Sequence, residues 1–189
     1  APSALSEALV DLSGVSFMHD GVEMTVDQYC AEGSVAGLIV LQNGTVVYER
    51  YGLGNDQSTR WASWSVAKSI TSLLVGAAVH DGYIESIDEK VTAYLPRLKD
   101  SAYERTTTRN LLHMASGVEW NEDYVDPQSD VNSVPWGTLP LQRYLRSRGA
   151  AAEPGTVFNY NTAETNLVGT LLRAAIGNNV LLTDRRRSC

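Results

Sequence analysis

Two short runs of apolar and β-branched residues, flanked by polar ones, predict two strands near the start of the chain. Residues 37–42 (Gly-Leu-Ile-Val-Leu-Gln) and 45–50 (Thr-Val-Val-Tyr-Glu-Arg) are rich in β-branched and aromatic side chains. Asn43 and Gly44 separate them, and an Asn-Gly loop is typical of a hairpin because a type I′ turn needs positive φ at both positions. We therefore predict a hairpin here, and a short helix before it over residues 26–32.

Apolar residues at helical spacing predict a longer helix after the hairpin. It should begin near Ser65 and end at Gly82, since glycine commonly follows the last turn of a helix. Its apolar positions follow the helical period and are Ile70, Leu73, Leu74, Ala77 and Ala78.

Two further helices are predicted from their capping residues. Three consecutive threonines at 106–108 can cap a short helix that follows them. A last helix runs from about 163 to 176, with Asn161 or Thr162 as its cap and Gly177 at its end.

These elements predict three parts. Residues 1–84 form the N-terminal part of an α/β domain that contains the hairpin and the Ser65 helix. Residues 85–153, which are rich in prolines and short helical pieces, form a helical domain. Residues 154–189 contain a loop around Tyr160, the last helix and a tail.

The composition and charge of the chain disfavour nucleic acid as a partner and predict no membrane-spanning segment. The chain has 22 acidic and 15 basic residues and a formal net charge of -7, which disfavours binding to nucleic acid phosphates. The basic run at residues 185–187 is interpreted as a solvated tail. No apolar run reaches the roughly 20 residues that span a bilayer, so no membrane span is predicted. The chain opens at Ala1 without an apolar leader, so we expect that a signal peptide was removed or that the sequence was trimmed.

The cysteines and the possible metal ligands of the sequence predict neither a disulfide framework nor a metal site. Cys30 and Cys189 lie far apart and make neither a disulfide framework nor a ligand pattern, and Cys30 is interpreted as a small buried apolar residue. No histidine and carboxylate cluster has metal-ligand spacing. We therefore expect no cofactor.

The candidate chemistry lies at residues 65–68 (Ser-Val-Ala-Lys). A serine hydroxyl is a poor nucleophile until a neighbouring group takes its proton, and residues i and i+3 share a helix face, which places Lys68 beside Ser65. The lysine must be at least partly neutral to act as a base, and burial favours the neutral amine. The free N–H groups of the first helical turn can help to hold an oxyanion. Alone, the pattern is weak and also fits an ordinary helix start with an exposed lysine, but its place at the start of an apolar helix directly after a hairpin and a loop favours the catalytic interpretation.

Tyr160 is a second candidate. It lies in residues 158–162 (Phe-Asn-Tyr-Asn-Thr), between a Pro-Gly turn and the last helix. Its hydroxyl could relay a proton if a lysine were nearby. The residues alone favour the other interpretation, a ring that packs and makes a local hydrogen bond.

Five segments, taken together and in this order, resemble a known family. The ordered set is more specific than any single segment. They cover about residues 36–177 and are residues 37–52, 65–68, 82–96 (with Gly-Tyr-Ile-Glu-Ser-Ile-Asp and Tyr-Leu-Pro), 108–117 (Thr-Arg-Asn-Leu-Leu-His-Met-Ala-Ser-Gly) and 154–160 (Pro-Gly-Thr-Val-Phe-Asn-Tyr). The set resembles the serine β-lactamase and penicillin-binding-protein superfamily, which includes class C β-lactamases, DD-peptidases and esterases.

This resemblance implies a fold for the chain and functional roles for individual residues. The fold is α+β, of the β-lactamase/DD-peptidase type, with a hairpin of an antiparallel sheet and a helical domain. The catalytic residues are Ser65 as nucleophile, Lys68 as base and Tyr160 as acid and proton relay. Residues 121–127 (Asn-Glu-Asp-Tyr-Val-Asp-Pro) are similar to a loop of 6-aminohexanoate-oligomer hydrolases whose tyrosine faces the substrate amide. That similarity gives Tyr124 a substrate-binding role, although an acidic surface loop with a packed tyrosine fits the residues as well.

Two departures from the family pattern matter. Thr162 stands where β-lactamases have an asparagine, and it keeps a hydroxyl but loses the amide that grips a β-lactam side chain. This change favours an ester or amide substrate, with Thr162 as a binding residue. The second departure is that residues 179–189 carry no third motif (Lys-Thr-Gly or a His-containing variant), so we expect a chain truncated before the C-terminal strands.

The expected truncation has a consequence for assembly. We expect the hairpin to have no third strand in this sequence, and an isolated hairpin is marginal in water. We hypothesise that another chain or a second copy of this one covers the open sheet.

Three functions follow from these patterns. The first is a serine hydrolase that forms an acyl-enzyme on a small ester, amide or amide oligomer, with weak activity because the third motif is absent. The second is a non-catalytic remnant or interaction module on the same scaffold. The third is a DD-peptidase or β-lactamase.

Overall fold

The computed structural model describes residues 5–177. The predicted basic tail at 185–187, Cys189 and the segment without a third motif lie outside the described residues. Residue contacts divide the chain into two compact units, residues 1–62 and 63–189. The three-part division of the chain, into residues 1–84, 85–153 and 154–189, stays a prediction.

The first unit is mostly β-structure. Its elements are β1 (Ser6–Glu7), β2 (Ser16–His19), β3 (Val22–Thr25), α1 (Val26–Glu32), β4 (Gly37–Gln42) and β5 (Thr45–Tyr51). The predicted hairpin is confirmed, since β4 pairs antiparallel with β5. Its loop residues Asn43 and Gly44 have φ values of 52° and 78°, as a type I′ turn requires.

The expectation that the hairpin lacks a third strand is wrong. Strand β1 pairs in parallel with β5, with Ser6 opposite Thr45, so the sheet order is β1-β5-β4. Two polar residues make too short a strand to show alternation. Within the described residues, the edge strands of this sheet are β4 and the two-residue β1. The hypothesis of a covering chain applies to these two edges.

The first unit also contains a second hairpin, formed by β2 and β3, which is not among the elements predicted from the sequence. Strands β2 and β3 pair antiparallel around Asp20 and Gly21, whose φ values are 50° and 80°. Asp-Gly is a hairpin signal of the same kind as Asn-Gly. The signal was present in the sequence, but the strands beside it are short and exposed.

The second unit is helical. Its elements are α2 (Val66–His80), α3 (Val91–Tyr94), a 3₁₀ turn (Pro96–Leu98), α4 (Thr108–Leu112), α5 (Asp130–Ser133), α6 (Thr138–Arg146) and α7 (Thr162–Ile176). Helix α7 is central and contacts α2, α3, α4 and α6. Its buried residues recur at helical spacing and are Ala163, Glu164, Leu167, Val168, Leu171 and Leu172.

The predicted helix caps are confirmed. Asn161 caps α7, and its side-chain oxygen accepts the Glu164 N–H at 3.1 Å. Gly177 ends this helix at φ 82°. In α4, Thr107 is the capping threonine and accepts the Asn110 N–H at 3.2 Å. These local signals define where α7 begins, which matters because Tyr160 directly precedes its cap.

Glu164 brings an ionisable group into the core of this unit. Only 1% of the residue is exposed, and the Tyr103 hydroxyl donates to Oε1 at 3.4 Å. The other oxygen, Oε2, is buried without a hydrogen-bond partner among the described residues. Burial raises the pKa of Glu164 to about 7, although hydrogen bonds with Ser116 and Tyr103 act to lower it.

This raised pKa predicts a pH-dependent stability. Because the folded state holds the Glu164 proton more tightly than the unfolded state, the contribution is fully present below pH 4.5 and is lost as the pH rises to about 7. The loss is on the order of 3 kcal/mol, at 1.36 kcal/mol per pKa unit. We expect Glu164→Gln, which cannot ionise, to gain that amount relative to wild type between pH 4.5 and 8 in urea unfolding.

The matched control is Glu85→Gln, which changes an exposed carboxyl of the same unit. Its unfolding free energy should follow that of the wild type at every pH. Parallel pH curves for wild type and Glu164→Gln would contradict the assignment of the buried charge.

Candidate active site

The backbone before Ser65 makes an unusual turn. Trp64 has φ 42°, in the left-handed region that bulky residues rarely adopt, and 86% of the residue is exposed. Such a conformation costs on the order of 1–3 kcal/mol and persists where the surrounding structure imposes it. Ser65 follows with helical φ and ψ of -70° and -8°, immediately before the first residue of α2.

The first turn of α2 uses most of its own N–H groups. The expectation that these groups are free is wrong for three of them, which donate to carbonyls three residues earlier: Val66 to Ser63 (2.9 Å), Ala67 to Trp64 (3.1 Å) and Lys68 to Ser65 (3.0 Å). The tight turn leaves the Ser65 N–H without an acceptor among the described residues. That group is therefore available to a ligand beside the Ser65 hydroxyl.

Ser65 and Lys68 lie side by side, as the i, i+3 spacing predicts. The distance from Lys68 Nζ to Ser65 Oγ is 3.0 Å. Lys68 is half-buried, whereas Ser65 is exposed. The serine side chain makes no capping bond to the helix, so its oxygen is free to meet another molecule.

Tyr160 approaches the same oxygen from a distant part of the chain. Its hydroxyl donates to Ser65 Oγ at 2.9 Å across a separation of 95 residues. Lys68 Nζ lies 5.2 Å from the centroid of the Tyr160 ring. The purely local interpretation of Tyr160, which the residues alone favoured, is therefore wrong, and the structure brings Ser65, Lys68 and Tyr160 together.

The surroundings make the Tyr160 phenol more acidic than usual. Its hydrogen bond with Ser65 is the largest influence and lowers the pKa of Tyr160. The hydrogen bond and charge of Lys68 act in the same direction, whereas desolvation and the charge of Glu122 oppose it. The net pKa of Tyr160 lies below the ordinary value of 10.0, so this phenol gives up its proton more readily.

Tyr124 and Thr162 form a second cluster, around Glu122. The Tyr124 hydroxyl lies 3.4 Å from Thr162 Oγ1 and donates to Glu122 at 2.6 Å. Thr162 reaches the same carboxylate with its N–H at 3.0 Å and with its hydroxyl. Among the described residues, none of these hydrogen bonds extends to Ser65 or Lys68.

Glu122 is a further residue of this cluster, and the sequence alone does not identify it. Its only signal was its place two residues before Tyr124 in an acidic loop. Burial raises the pKa of Glu122, but hydrogen bonds from Thr162, Tyr124 and Trp120 outweigh that effect, and the net pKa lies below 4.5. The carboxylate is therefore held in its charged form beside the start of α7.

A cleft of about 780 Å³ joins the two clusters. Ser65, Lys68, Tyr124 and Thr162 line one part of it. The apolar part of its wall comes from Trp64, Val131, Val134, Pro135, Trp136 and Leu141. A volume of this size accommodates a small organic molecule.

Other site types are not found in the part of the chain that the structure describes. Residues 5–177 hold no group of three or more His, Cys, Asp or Glu side chains that could bind a metal ion. No helix over the same range is long and apolar enough to cross a membrane.

Comparison with known proteins relates this geometry to a family. The family model described as Beta-lactamase matches residues 22–183. A 6-aminohexanoate-dimer hydrolase of Paenarthrobacter ureafaciens is 29% identical over 189 residues, which are 93% of this chain and 46% of that protein. The chain thus spans about half the length of this relative.

Solved structures agree on the fold. A Bacillus anthracis protein described as a candidate 6-aminohexanoate-dimer hydrolase superposes with a TM-score of 0.71 at 21% identity, over 92% of this chain and 48% of that one. A class C β-lactamase in complex with cefoxitin gives a TM-score of 0.58 at 23% identity, over 80% and 43%.

These likenesses confirm the predicted α+β fold of the β-lactamase/DD-peptidase type. The family model covers most of the chain and includes all three side chains that meet at the Ser65 oxygen. The chain therefore belongs to the beta-lactamase family.

Proposed function

We propose that this chain carries the nucleophilic site of a serine hydrolase that acts through an acyl-enzyme on an ester or amide. One observation carries the proposal: Ser65 Oγ lies within hydrogen-bond distance of both Lys68 Nζ and Tyr160 Oη. An alcohol with a potential base and a potential acid on the same oxygen is the arrangement that acyl transfer needs.

In the acylation step, Lys68 acts as the base and accepts the hydroxyl proton while Ser65 Oγ forms a bond to the substrate carbonyl carbon. The carbonyl electron pair moves to its oxygen and gives a tetrahedral oxyanion. When the oxyanion collapses, the bond to the leaving alcohol or amine breaks, and Tyr160 protonates that group. The lowered pKa of Tyr160 makes it a better donor than an ordinary phenol. The proton on Lys68 then replaces the one that Tyr160 has lost.

Deacylation follows the same route in reverse. Water takes the place of the leaving group. Tyr160 passes its proton to Lys68 and takes one from the water, whose oxygen attacks the acyl carbon. The bond from the acyl carbon to Ser65 Oγ then breaks, and Lys68 returns its proton to that oxygen, which restores the resting site. The protons and bonds of both steps therefore balance with the substrate and one water molecule.

The Ser65 N–H supports the oxyanion. It lies on the backbone of the nucleophile itself and has no acceptor among residues 5–177. The positive end of the α2 dipole lies at the same place. One oxyanion donor contributes about 3 kcal/mol of transition-state stabilisation, which is roughly a hundredfold in rate.

The cleft favours an open-chain substrate over a β-lactam. Thr162 offers a hydroxyl where a β-lactam side chain would need an amide, and its hydroxyl already donates to Glu122. Tyr124 is 64% exposed beside it and can hydrogen-bond a substrate amide. The name of the Paenarthrobacter relative supports an amide oligomer as the substrate class. We assign Tyr124 and Thr162 to substrate binding on these grounds.

Tyr160→Phe tests the proton-relay step. The change keeps the ring and removes only the hydroxyl that donates to Ser65. We expect kcat for ester hydrolysis to fall by about 10²- to 10⁴-fold, because a general acid contributes in that range. Steady-state hydrolysis of p-nitrophenyl acetate measures it, with Tyr83→Phe in the same unit as the control. An unchanged kcat would remove Tyr160 from the mechanism.

The family model described as Beta-lactamase supports a second candidate, a β-lactamase, and the sequence resemblance adds a DD-peptidase to it. Parallel incubation with p-nitrophenyl esters, a 6-aminohexanoate dimer and a fluorescent penicillin separates the two. Turnover of the ester or dimer without a stable penicillin adduct supports the proposed hydrolase. Rapid acylation of Ser65 by penicillin supports the second candidate. A chain inert to all three reagents would instead be the non-catalytic module.

A further inference from the structure

The carboxylate of Glu122 is the meeting point of four hydrogen bonds. Tyr124 Oη donates at 2.6 Å and the Thr162 N–H at 3.0 Å. The Trp120 indole N–H and the Thr162 hydroxyl donate to it as well. A carboxylate has about four acceptor positions, so Glu122 is saturated and has little capacity left for a substrate.

Two of the donor residues, Tyr124 and Thr162, also form part of the candidate site. Tyr124 lines the cleft, and Thr162 is the first residue of α7. Tyr160 lies two residues before Thr162 and reaches Ser65. A bond from Glu122 to the first N–H of α7 therefore restrains the backbone from which Tyr160 projects. The negative charge also lies at the positive end of the α7 dipole, where it is favourable.

The loop that carries Glu122 is itself restrained. Asn132 Nδ2 donates to the carbonyls of Asp123, Tyr124 and Asp126, at 3.3, 3.2 and 2.8 Å. Glu122 thus connects a restrained loop to the start of a central helix.

We propose that Glu122 is a positioning residue, which holds Tyr124 in the cleft and fixes the start of α7 so that Tyr160 stays on the Ser65 oxygen. This inference rests on the proposed hydrolase function. It assigns Glu122 no contact with the reacting atoms.

The negative charge of Glu122 predicts a specific change in the pH dependence of kcat/KM when this residue is replaced. The charged and titratable groups that face Tyr160 are Lys68 on α2 and, in the loop, Glu122 and Tyr124. Glu122 opposes the lowering of the Tyr160 pKa. Without that negative charge, the Tyr160 pKa falls further. The alkaline limb of kcat/KM, where protonated Tyr160 is lost, then moves to lower pH.

The test compares wild type with Glu122→Gln and Glu122→Asp. The glutamine keeps the shape but places an N–H₂ group against donors and removes the charge. We expect its rate of labelling by a fluorophosphonate, and its kcat for p-nitrophenyl acetate, to fall by roughly tenfold to a hundredfold. Its alkaline limb should shift to lower pH, whereas the aspartate should keep the wild-type limb and recover part of the rate.

Glu119→Gln is the matched control, since Glu119 is exposed and receives its hydrogen bond from the Gly149 N–H. It should behave as wild type. Wild-type rates and an unshifted limb in Glu122→Gln overturn the inference and leave the proposed function intact. If wild type itself is not labelled, the proposed function fails, and the inference fails with it. Near-UV circular dichroism establishes folding, and Glu122→Asp carries the test if the glutamine variant does not fold.

Discussion

We expect that replacing Ser65 with alanine abolishes the proposed ester hydrolysis and leaves the fold intact. The only atom removed is Oγ, which is the oxygen that Lys68 and Tyr160 both approach. Without it no acyl-enzyme forms, and we expect turnover to fall by about 10⁴-fold or more. Because Ser65 is exposed and makes no side-chain capping bond, the free energy of unfolding should change by less than about 0.5 kcal/mol.

Hydrolysis of p-nitrophenyl acetate and urea unfolding measure the two parts of this prediction. Ser72→Ala is the control, because Ser72 lies on the same helix and its hydroxyl donates to the Ser69 carbonyl at 2.7 Å. The control should retain wild-type turnover. Turnover that persists in Ser65→Ala would mean that another residue is the nucleophile.

Loss of the Lys68 amine has the second largest expected effect. Lys68→Ala removes the only side chain within hydrogen-bond distance of Ser65 Oγ, other than Tyr160, among the described residues. We expect acylation to slow by about 10³-fold, within the range for loss of a general base. Lys68→Arg should be as slow, because a guanidinium keeps the positive charge but cannot accept a proton.

This pair of variants distinguishes two roles for Lys68: a base that accepts a proton, and a positive charge beside Ser65. Single-turnover acylation with p-nitrophenyl acetate measures both. A Lys68→Arg variant with wild-type acylation would show that the positive charge alone is needed. An unaltered rate in Lys68→Ala would exclude Lys68 from the mechanism.

The parts of the fold that could be predicted are those with strong local signals. The β4–β5 hairpin follows from Asn43 and Gly44, and α7 follows from the Asn161 cap and Gly177. Each signal reports a backbone requirement within a few residues. Strand β1 has no such signal, since two residues pair with a strand almost 40 positions away.

The apolar pattern of α2 predicted the helix but not its buried face. Val75 and Ala78 are each 1% exposed, whereas Ile70 is 53% and Leu73 is 71% exposed. A helix with apolar residues on several sides does not identify from sequence alone which side meets the core.

The contacts of the candidate site also differ in whether local sequence predicts them. The neighbouring positions of Ser65 and Lys68 follow from helix geometry, because three residues separate them on one helix. Tyr160 lies 95 residues from Ser65, so no local rule predicts their contact, and only the family resemblance pointed to it. Glu122 acts through hydrogen bonds to Tyr124 and Thr162, a long-range arrangement that only tertiary structure reveals.

The most direct test of the account is the intact mass of the purified chain after reaction with a fluorophosphonate, followed by peptide mapping. We expect a single phosphonyl adduct on Ser65, which is absent from Ser65→Ala and forms much more slowly in Lys68→Ala. An unmodified mass, or an adduct on any other residue, would contradict the claim that Lys68 and Tyr160 activate the Ser65 oxygen.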